Sequence, residues 1–252
     1  MKNRYFLFIS FKGTSYHGWQ SQPNSVTIQK KIEEALTRIF RESISLTGAG
    51  RTDAGVHALM FVAHFDISFS LPEEVTNLIY RINSILPTDI SIKAVRKVSP
   101  DAHARFSAVS RTYKYFISAL KDPFWAEYSW FLPGRKDLDR LNAAAEILKS
   151  HSDFTSFSRL HSNNKTNICR IYDAFWEEKE NILVFTIKAD RFLRNMVRAI
   201  VGTMIRTGTG KMSLEEFGEI INARNRSKAG QSAVAKGLFL TGIEYPDDIF
   251  SQ

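Results

Sequence analysis

Two hydrophobic periods interleave along this chain, and their order excludes most architectures. Residues 4–11 alternate, with Tyr5, Leu7, Ile9 and Phe11 on one side, the pattern of a strand with one buried face; the stretch 13–18, bounded by Gly13 and Gly18, ends it. From 27 to 40, Ile28, Ile32, Leu36, Ile39 and Phe40 recur at helical spacing, leaving Lys30 and Glu33 for solvent. Helical spacing returns at Val75, Leu78, Ile79 and Ile82, at Leu138, Leu141, Ala145 and Leu148, and at Leu214, Phe217, Ile220 and Ile221. The last of these opens on Ser213 and Glu216, the pattern of a capping box. Short runs rich in β-branched and aromatic residues predict strands over 60–65, 91–98, 112–120, 171–177 and 182–189. Strands and helices therefore mix in both halves, which predicts an α/β chain of the α+β kind built from two related lobes, residues 1–105 and 106–252. The segments 121–136 and 158–167, the second reading SRLHSNNKTN, lack either period and are expected to be loops.

Composition narrows the partners. Lys and Arg number 34 against 26 Asp and Glu, a formal charge of +8, so a polyanion is a plausible ligand. A single cysteine, Cys169, rules out an intramolecular disulfide and a Cys-rich metal site, and the six histidines lack the spacing of a His-Glu-x-x-His site, so no metal is expected. No apolar run approaches the roughly 20 residues needed to cross a bilayer, and the start MKNRYFLFISFKG carries no small-residue cleavage site, so a cytoplasmic protein without membrane attachment is expected. Two phosphate-loop look-alikes fail on inspection. Gly48-Ala49-Gly50 places Asp53 where a dinucleotide fingerprint needs its third glycine, and Gly208-Thr209-Gly210-Lys211 is followed by Met212 instead of a hydroxyl residue. The latter reads better as the C-terminus of a helix.

The chemistry concentrates in residues 48–58, GAGRTDAGVHA, where small residues permit close backbone approach around Arg51, Thr52, Asp53 and His57. Taken alone, such a loop could be a surface turn in which Thr52 and Asp53 satisfy local donors. Yet GRTDAGVHA resembles the signature loop of the tRNA pseudouridine synthase A (TruA) family. The similarity extends over nearly the whole chain, through Tyr16-His17-Gly18-Trp19-Gln20, 83–87, His103-Ala104-Arg105-Phe106-Ser107-Ala108, 153–157, Met196-Val197-Arg198 and Gly237-Leu238. Departures are confined to 91–95, 158–167 and Ser232-Ala233-Val234-Ala235, all outside the reactive loop.

The resemblance implies the pseudouridine synthase fold, two similar lobes with mainly antiparallel sheets flanked by helices and a central cleft. It implies a cofactor-free isomerase acting on tRNA uridines 38, 39 and 40 in the anticodon arm, working as a homodimer. It assigns the catalytic carboxylate to Asp53, the active-site tyrosine to Tyr113 and the aspartate-pairing arginine to Arg198. Tyr113, Arg51, Thr52 and Leu238 are implied as substrate-binding, with Arg51 displacing the target base. Contact with tRNA is implied for Ala102, His103, Ala104, Arg105 and Phe106, and for His161, Ser162, Asn163, Asn164 and Lys165.

These residues suit the reaction. Turning uridine into pseudouridine breaks the N1–C1′ bond, joins C5 to C1′ and removes the C5 proton; no redox step is involved, and a carboxylate at the sugar can serve as nucleophile at C1′ or base at C2′. A carboxylate in a closed site tends to take up a proton unless a cation keeps it ionised, a role for Arg198. On a helix over 192–205, Arg191, Arg194 and Arg198 would share one face, which could also be a plain solvated stripe. Tyr113 combines an aromatic face for the uracil with a hydroxyl near C5, whereas Tyr115 is expected in the core and His57 as a brace for the loop. A paired nucleotide must leave its stack to reach Asp53, at a cost of a few kcal/mol. Two other readings remain: a catalytically silent RNA-binding module, and a small-molecule glycosidic-bond hydrolase using Asp53.

Overall fold

The computed structural model describes residues 2–72, 74–159 and 165–250. It divides into two compact units, one running to Val109 and resuming at Leu240, the other spanning Ser110–Phe239.

The first unit contains β1 (Asn3–Phe11), α1 (Ile28–Phe40), β2 (Thr47–Gly48), β3 (His57–Ile67), α2 (Thr76–Ile85) and β4 (Ile90–Val98). Strand β1 lies between β3 and β4, antiparallel to both, and β2 extends the pairing of β3 at Ala63 and His64. Helix α1 starts where the Thr27 hydroxyl accepts from the Lys30 N–H, and it stops at Arg41, whose left-handed backbone (φ 58°) ends the helical run. Its buried residues are Ile28, Ile32, Ala35 and Leu36, and burial of each of the three larger side chains contributes about 1.5–3 kcal/mol. The expectation of one buried face on β1 is corrected. Phe6, on the opposite face from Tyr5 and Leu7, is also fully buried, in a cluster with Ala49, Val62, Val98, Ala102 and Ala104 that Tyr245, Ile249 and Phe250 cover. The covering residues lie more than 230 positions downstream, so alternation within β1 could not reveal them.

The second unit contains β5 (Ser110–Ser118), β6 (Trp130–Phe131), α3 (Leu138–Lys149), β7 (Ile171–Lys179), β8 (Ile182–Ala189), α4 (Met196–Gly208) and α5 (Leu214–Asn222). Strand β8 lies between β5 and β7, antiparallel to both, and seven of its eight residues are buried, as a strand covered on both faces requires. The segment 121–136 is not a plain loop, because Trp130 and Phe131 pair in parallel with Ile117 and Ser118. Strand β9 (Leu238–Glu244) then lies beside β3. The chain is thus a mixed α/β protein whose sheet pairing is mostly antiparallel and flanked by helices.

The helix termini match the sequence pattern. At α5 the Ser213 hydroxyl accepts from the Glu216 N–H (3.1 Å) while the Glu216 carboxylate accepts from the Ser213 N–H (2.7 Å). At α4, Gly210 takes φ +72°, and the Gly210 and Lys211 N–H groups reach back to the Thr207 and Arg206 carbonyls, a Schellman motif. The glycine-rich run 208–210 therefore closes a helix. At Gly208 a Cβ would lie 2.7 Å from Leu141 Cγ on α3, a second reason for glycine there. Among the described residues no helix is long and apolar enough to cross a membrane, and no three His, Cys, Asp or Glu side chains cluster as metal ligands.

Candidate active site

Asp53 sits half-buried in the loop between β2 and β3, and the loop's shape is imposed by what packs beside it. Its main chain folds in a β-turn in which the Asp53 carbonyl accepts from the Val56 N–H (3.2 Å) and Gly55 takes φ +78°, the conformation a type II turn demands at its third position. The connection after β1 presses against this turn. A Cβ on Gly18, itself at φ +86°, would overlap the Thr52 carbonyl oxygen, and one on Gly13 would overlap that of Val56. His57 braces the contact as expected: it is 1% exposed, and its Nδ1 accepts from the Gly13 N–H (3.1 Å). Below, Trp19 packs on Phe61 with ring centroids 4.1 Å apart, and the backbone at Gly48 passes so close to the Trp19 indole that no side chain fits. Arg51 projects into solvent, and Thr52 is half-buried with its hydroxyl oxygen enclosed and making no hydrogen bond among the described residues.

The same unit carries the segment from Ala102 to Phe106. Ala102 and Ala104 are buried, so they act as main-chain anchors: Ala102 accepts from Arg4 Nη1 (3.0 Å), and the Ala104 carbonyl accepts from the Tyr245 hydroxyl (2.6 Å). His103 is half-buried, whereas Arg105 and Phe106 are exposed, with the Arg105 guanidinium carbon 5.4 Å from the Phe106 ring centroid.

In the second unit, Tyr113 lies on β5 opposite Ile187 and is half-buried, with Phe192 edge-on to its ring at 5.0 Å. Tyr115, two residues on, is fully buried, and its hydroxyl donates to the Val234 carbonyl (2.7 Å); burial pushes its pKa up, as a core tyrosine requires. Gly237 is fitted against the same ring, where a Cβ would lie 2.7 Å from Tyr115 Cζ. Leu238, next in the chain, is 6% exposed at the start of β9.

Arg198 belongs to α4, but the expected three-arginine face does not form. The helix starts only at Met196, after Asn195 at φ +66°, so Arg191 and Arg194 lie in the connection that precedes it. A positive φ at the N-cap breaks the periodicity that 192–205 had suggested. Ten of the thirteen residues of α4 are buried, so the helix offers no broad solvated stripe for Arg198 to join. Instead Arg198 is fixed to the chain after Gly230. Its Nε donates to the Ala233 carbonyl (2.7 Å), while the Ala233 N–H donates to the Arg198 carbonyl (2.9 Å). Gly202, one turn further, meets the Gln231 carbonyl so closely that a Cβ would overlap it, which holds the two segments in register. Ala233 and Phe192 were not legible as supporting residues, because both act through tertiary contacts and neither carries a reactive group.

Lys165 is exposed at the end of the polar loop. His161, Ser162, Asn163 and Asn164 lie outside the described residues.

A mostly antiparallel α/β protein with a glycine-braced aspartate loop, a half-buried strand tyrosine and an arginine tied to a nearly buried helix defines a class that comparison makes specific. The family profile described as tRNA pseudouridine synthase matches residues 7–107 and 144–246. Proteins named tRNA pseudouridine synthase A are similar over almost the whole chain. That of Bacteroides fragilis is 51% identical over 248 residues, covering 98% of each chain; that of Porphyromonas gingivalis is 48% identical over 249 residues, covering 98% of this chain and 99% of its own. A more distant relative, from a Thermoanaerobacter species, is 38% identical over 241 residues, 95% of this chain and 98% of its own. The chain belongs to the tRNA pseudouridine synthase family.

Proposed function

We propose that this protein isomerises uridine to pseudouridine at positions 38, 39 and 40 in the anticodon arm of tRNA, with Asp53 as its catalytic carboxylate. The observation that carries this reading is the GRTDAGVHA loop, where Asp53 is the sole carboxylate and where Gly13, Gly18 and His57 brace the main chain around it. The carboxylate attacks C1′ or takes the C2′ proton as the N1–C1′ bond breaks and N1 gains a proton; the uracil turns, C5 joins C1′ as the carboxylate–C1′ bond breaks or the proton returns to C2′, and the proton on C5 departs. Arg198 serves as the aspartate-pairing arginine, with Ala233 fixing the orientation of its guanidinium. Tyr113 offers its ring to the uracil and its hydroxyl to the C5 proton, with Phe192 holding the ring from its edge. Arg51, exposed two residues before Asp53, fills the gap left by the extruded nucleotide, while Thr52 and Leu238 complete the binding surface. Ala102, His103, Ala104, Arg105 and Phe106 bind tRNA, as does the loop from His161 to Lys165, and the formal charge of +8 favours a polyanion. The protein works as a cytoplasmic homodimer and needs no cofactor or metal, since each step is a proton transfer or a bond exchange at one nucleotide.

The test is incubation with tRNA tritiated at uridine C5, followed by mapping of the product. Release of tritium together with pseudouridine at those positions is the expected result. Binding without release would indicate a silent RNA-binding module, and free uracil would indicate a hydrolase.

A further inference from the structure

Four aromatic and cationic side chains in the first unit stack into a column that reaches solvent. At its base His64, on β3, is 6% exposed; its ring meets that of His103 edge-on at 4.7 Å, and His103 in turn lies 4.4 Å from the ring of Phe106. Phe106 is 74% exposed with the Arg105 guanidinium beside it. One side of the ring packs on His103 and Arg105 while the rest faces solvent, so a ligand that covered the exposed part would gain kcal/mol amounts from its burial. An exposed ring beside a cation is the composition of a platform on which an unpaired base stacks.

What keeps the ring outside is a set of bonds to imidazole. His103 Nδ1 accepts from the Arg105 N–H (3.1 Å) and, more weakly, from the Phe106 N–H (3.4 Å). His64 Nδ1 accepts from the Ala104 N–H (3.1 Å) between them. The ends of the turn are closed by Ser107, whose hydroxyl accepts from the His103 N–H and whose N–H donates to the His103 carbonyl, both at 2.9 Å. Both rings use Nδ1 as an acceptor, so each is neutral with its proton on Nε2; a charged ring would set N–H against N–H. The surroundings favour that state. Arg4, from β1, is held by Asp66 of β3 through two bonds (2.7 and 2.8 Å) and faces both imidazoles, with Arg105 adding a second positive charge at His103. Burial first, and Arg4 second, lower the pKa of each ring, that of His64 to about 4.

We infer that His103, supported from below by His64, is a positioning residue for RNA binding, whose imidazole holds the 103–107 turn so that Phe106 and Arg105 stand out as a stacking platform for an unpaired base of the substrate. This rests on the reading of that segment as a tRNA contact. It moves His103 from the list of contacts to the framework behind them, and it assigns the contact to Phe106 and Arg105.

The experiment compares KM and kcat for full-length tRNA across four variants by tritium release. Phe106→Ala is expected to raise KM about tenfold, in line with the loss of one base–aromatic stack, with kcat within about twofold. His103→Ala should do the same, because the turn loses its internal acceptor. His103→Asn should restore KM to within about threefold of the parent, since an Asn side-chain oxygen accepts from N–H groups two and three residues on, as in an Asx turn. Arg105→Ala should raise KM by a smaller factor than Phe106→Ala. If His103→Asn were as impaired as His103→Ala while folding like the parent by circular dichroism, the ring itself would touch RNA and the positioning role would be overturned. If His103→Ala left KM unchanged while Phe106→Ala raised it, the segment would still bind RNA but without needing the imidazole, again overturning the inference. If neither Phe106→Ala nor Arg105→Ala moved KM, the segment would not contact tRNA, and the underlying reading would fall with it.

Discussion

In the first unit the Asn83 side chain, on α2, donates to the Ile92 carbonyl (2.9 Å) and accepts from the Ile92 N–H (2.8 Å); in the second, Asn142 on α3 does the same for Trp176 (3.1 and 2.8 Å). Each amide satisfies both main-chain groups of one residue on a strand, β4 or β7, that ends its sheet, where unpaired N–H and C=O groups would otherwise face a helix. The two units share this device, yet they hold their candidate site residues by opposite means. Around Asp53 the fixing element is the absence of side chains, with Gly13, Gly18 and Gly48 letting backbone and indole touch. Around Arg198 it is a side-chain hydrogen bond, from Nε to Ala233, answered by a main-chain bond in return. Close packing of backbone fixes a loop but leaves its functional side chain to be oriented by its own rotamer; a guanidinium bonded through Nε has its plane fixed as well. The difference suits a small carboxylate on a tight turn and a long cation on a helix.

The contrast can be broken most forcefully at Gly18. Gly18→Ala combines a left-handed backbone with overlap of the Thr52 carbonyl, so stability should fall by roughly 3 kcal/mol or more, or the Asp53 loop should shift and activity collapse. Gly50→Ala, with no atom within 4 Å of its new Cβ, should change stability by about 0.5 kcal/mol or less. Urea unfolding of both variants checks the pair, and equal effects would show that close approach is not what fixes this loop. On the other side, Arg198→Lys keeps the charge but loses the Nε donor to Ala233. Turnover should drop about 10–100-fold with stability changed by about 1 kcal/mol or less, measured by single-turnover kinetics beside thermal unfolding.

A smaller effect sharpens the comparison within the first unit, where a buried imidazole rather than a glycine does the fixing. His64 in the unfolded chain takes up its proton near pH 6.5, whereas in the folded protein it resists until about 4. The unfolded state therefore binds more protons in that window, so its contribution to stability is complete above pH 6.5 and is lost as pH falls towards 4. The loss should be roughly 3 kcal/mol, and His64→Asn, which keeps an acceptor but cannot titrate, should flatten most of the slope. His103 acts in the same direction. Asp66, lowered by its bond to Arg4, adds to the loss only at the acid end of this range. Urea midpoints measured from pH 7 to pH 4 would show the slope; a flat profile in the parent would remove the neutral-imidazole account.

How much of this was legible in the sequence depended on whether the cause was local. The Ser213–Glu216 box and the glycine run closing α4 were readable because a helix terminus is decided within a few residues. The role of His57 as a brace followed from its place in the loop, and the burial of Tyr115 from its place on an alternating strand. Asp53, by contrast, stood out through the composition of its motif and not through any period. Where tertiary structure intervened, the local pattern misled. Arg191 and Arg194 fit a helical face only if Asn195 stays helical, and its positive φ depends on contacts such as the 2.6 Å bond to Ser232 that spacing cannot reveal. Burial of Phe6 depends on the chain after Leu240, and β6 forms only because Ile117 and Ser118 of β5 lie beside it. The supports at Ala233, Phe192 and Asn142 are ordinary residues made significant by what lies opposite.

The central claim is that Asp53 performs the chemistry while the fold around it stands without its help. Asp53→Ala should therefore abolish tritium release from tRNA labelled at uridine C5, while the variant unfolds at the parent's urea midpoint and binds tRNA as tightly or slightly better, since an anion beside phosphates has been removed. Pseudouridine formation persisting at an appreciable rate in a properly folded Asp53→Ala protein would contradict it.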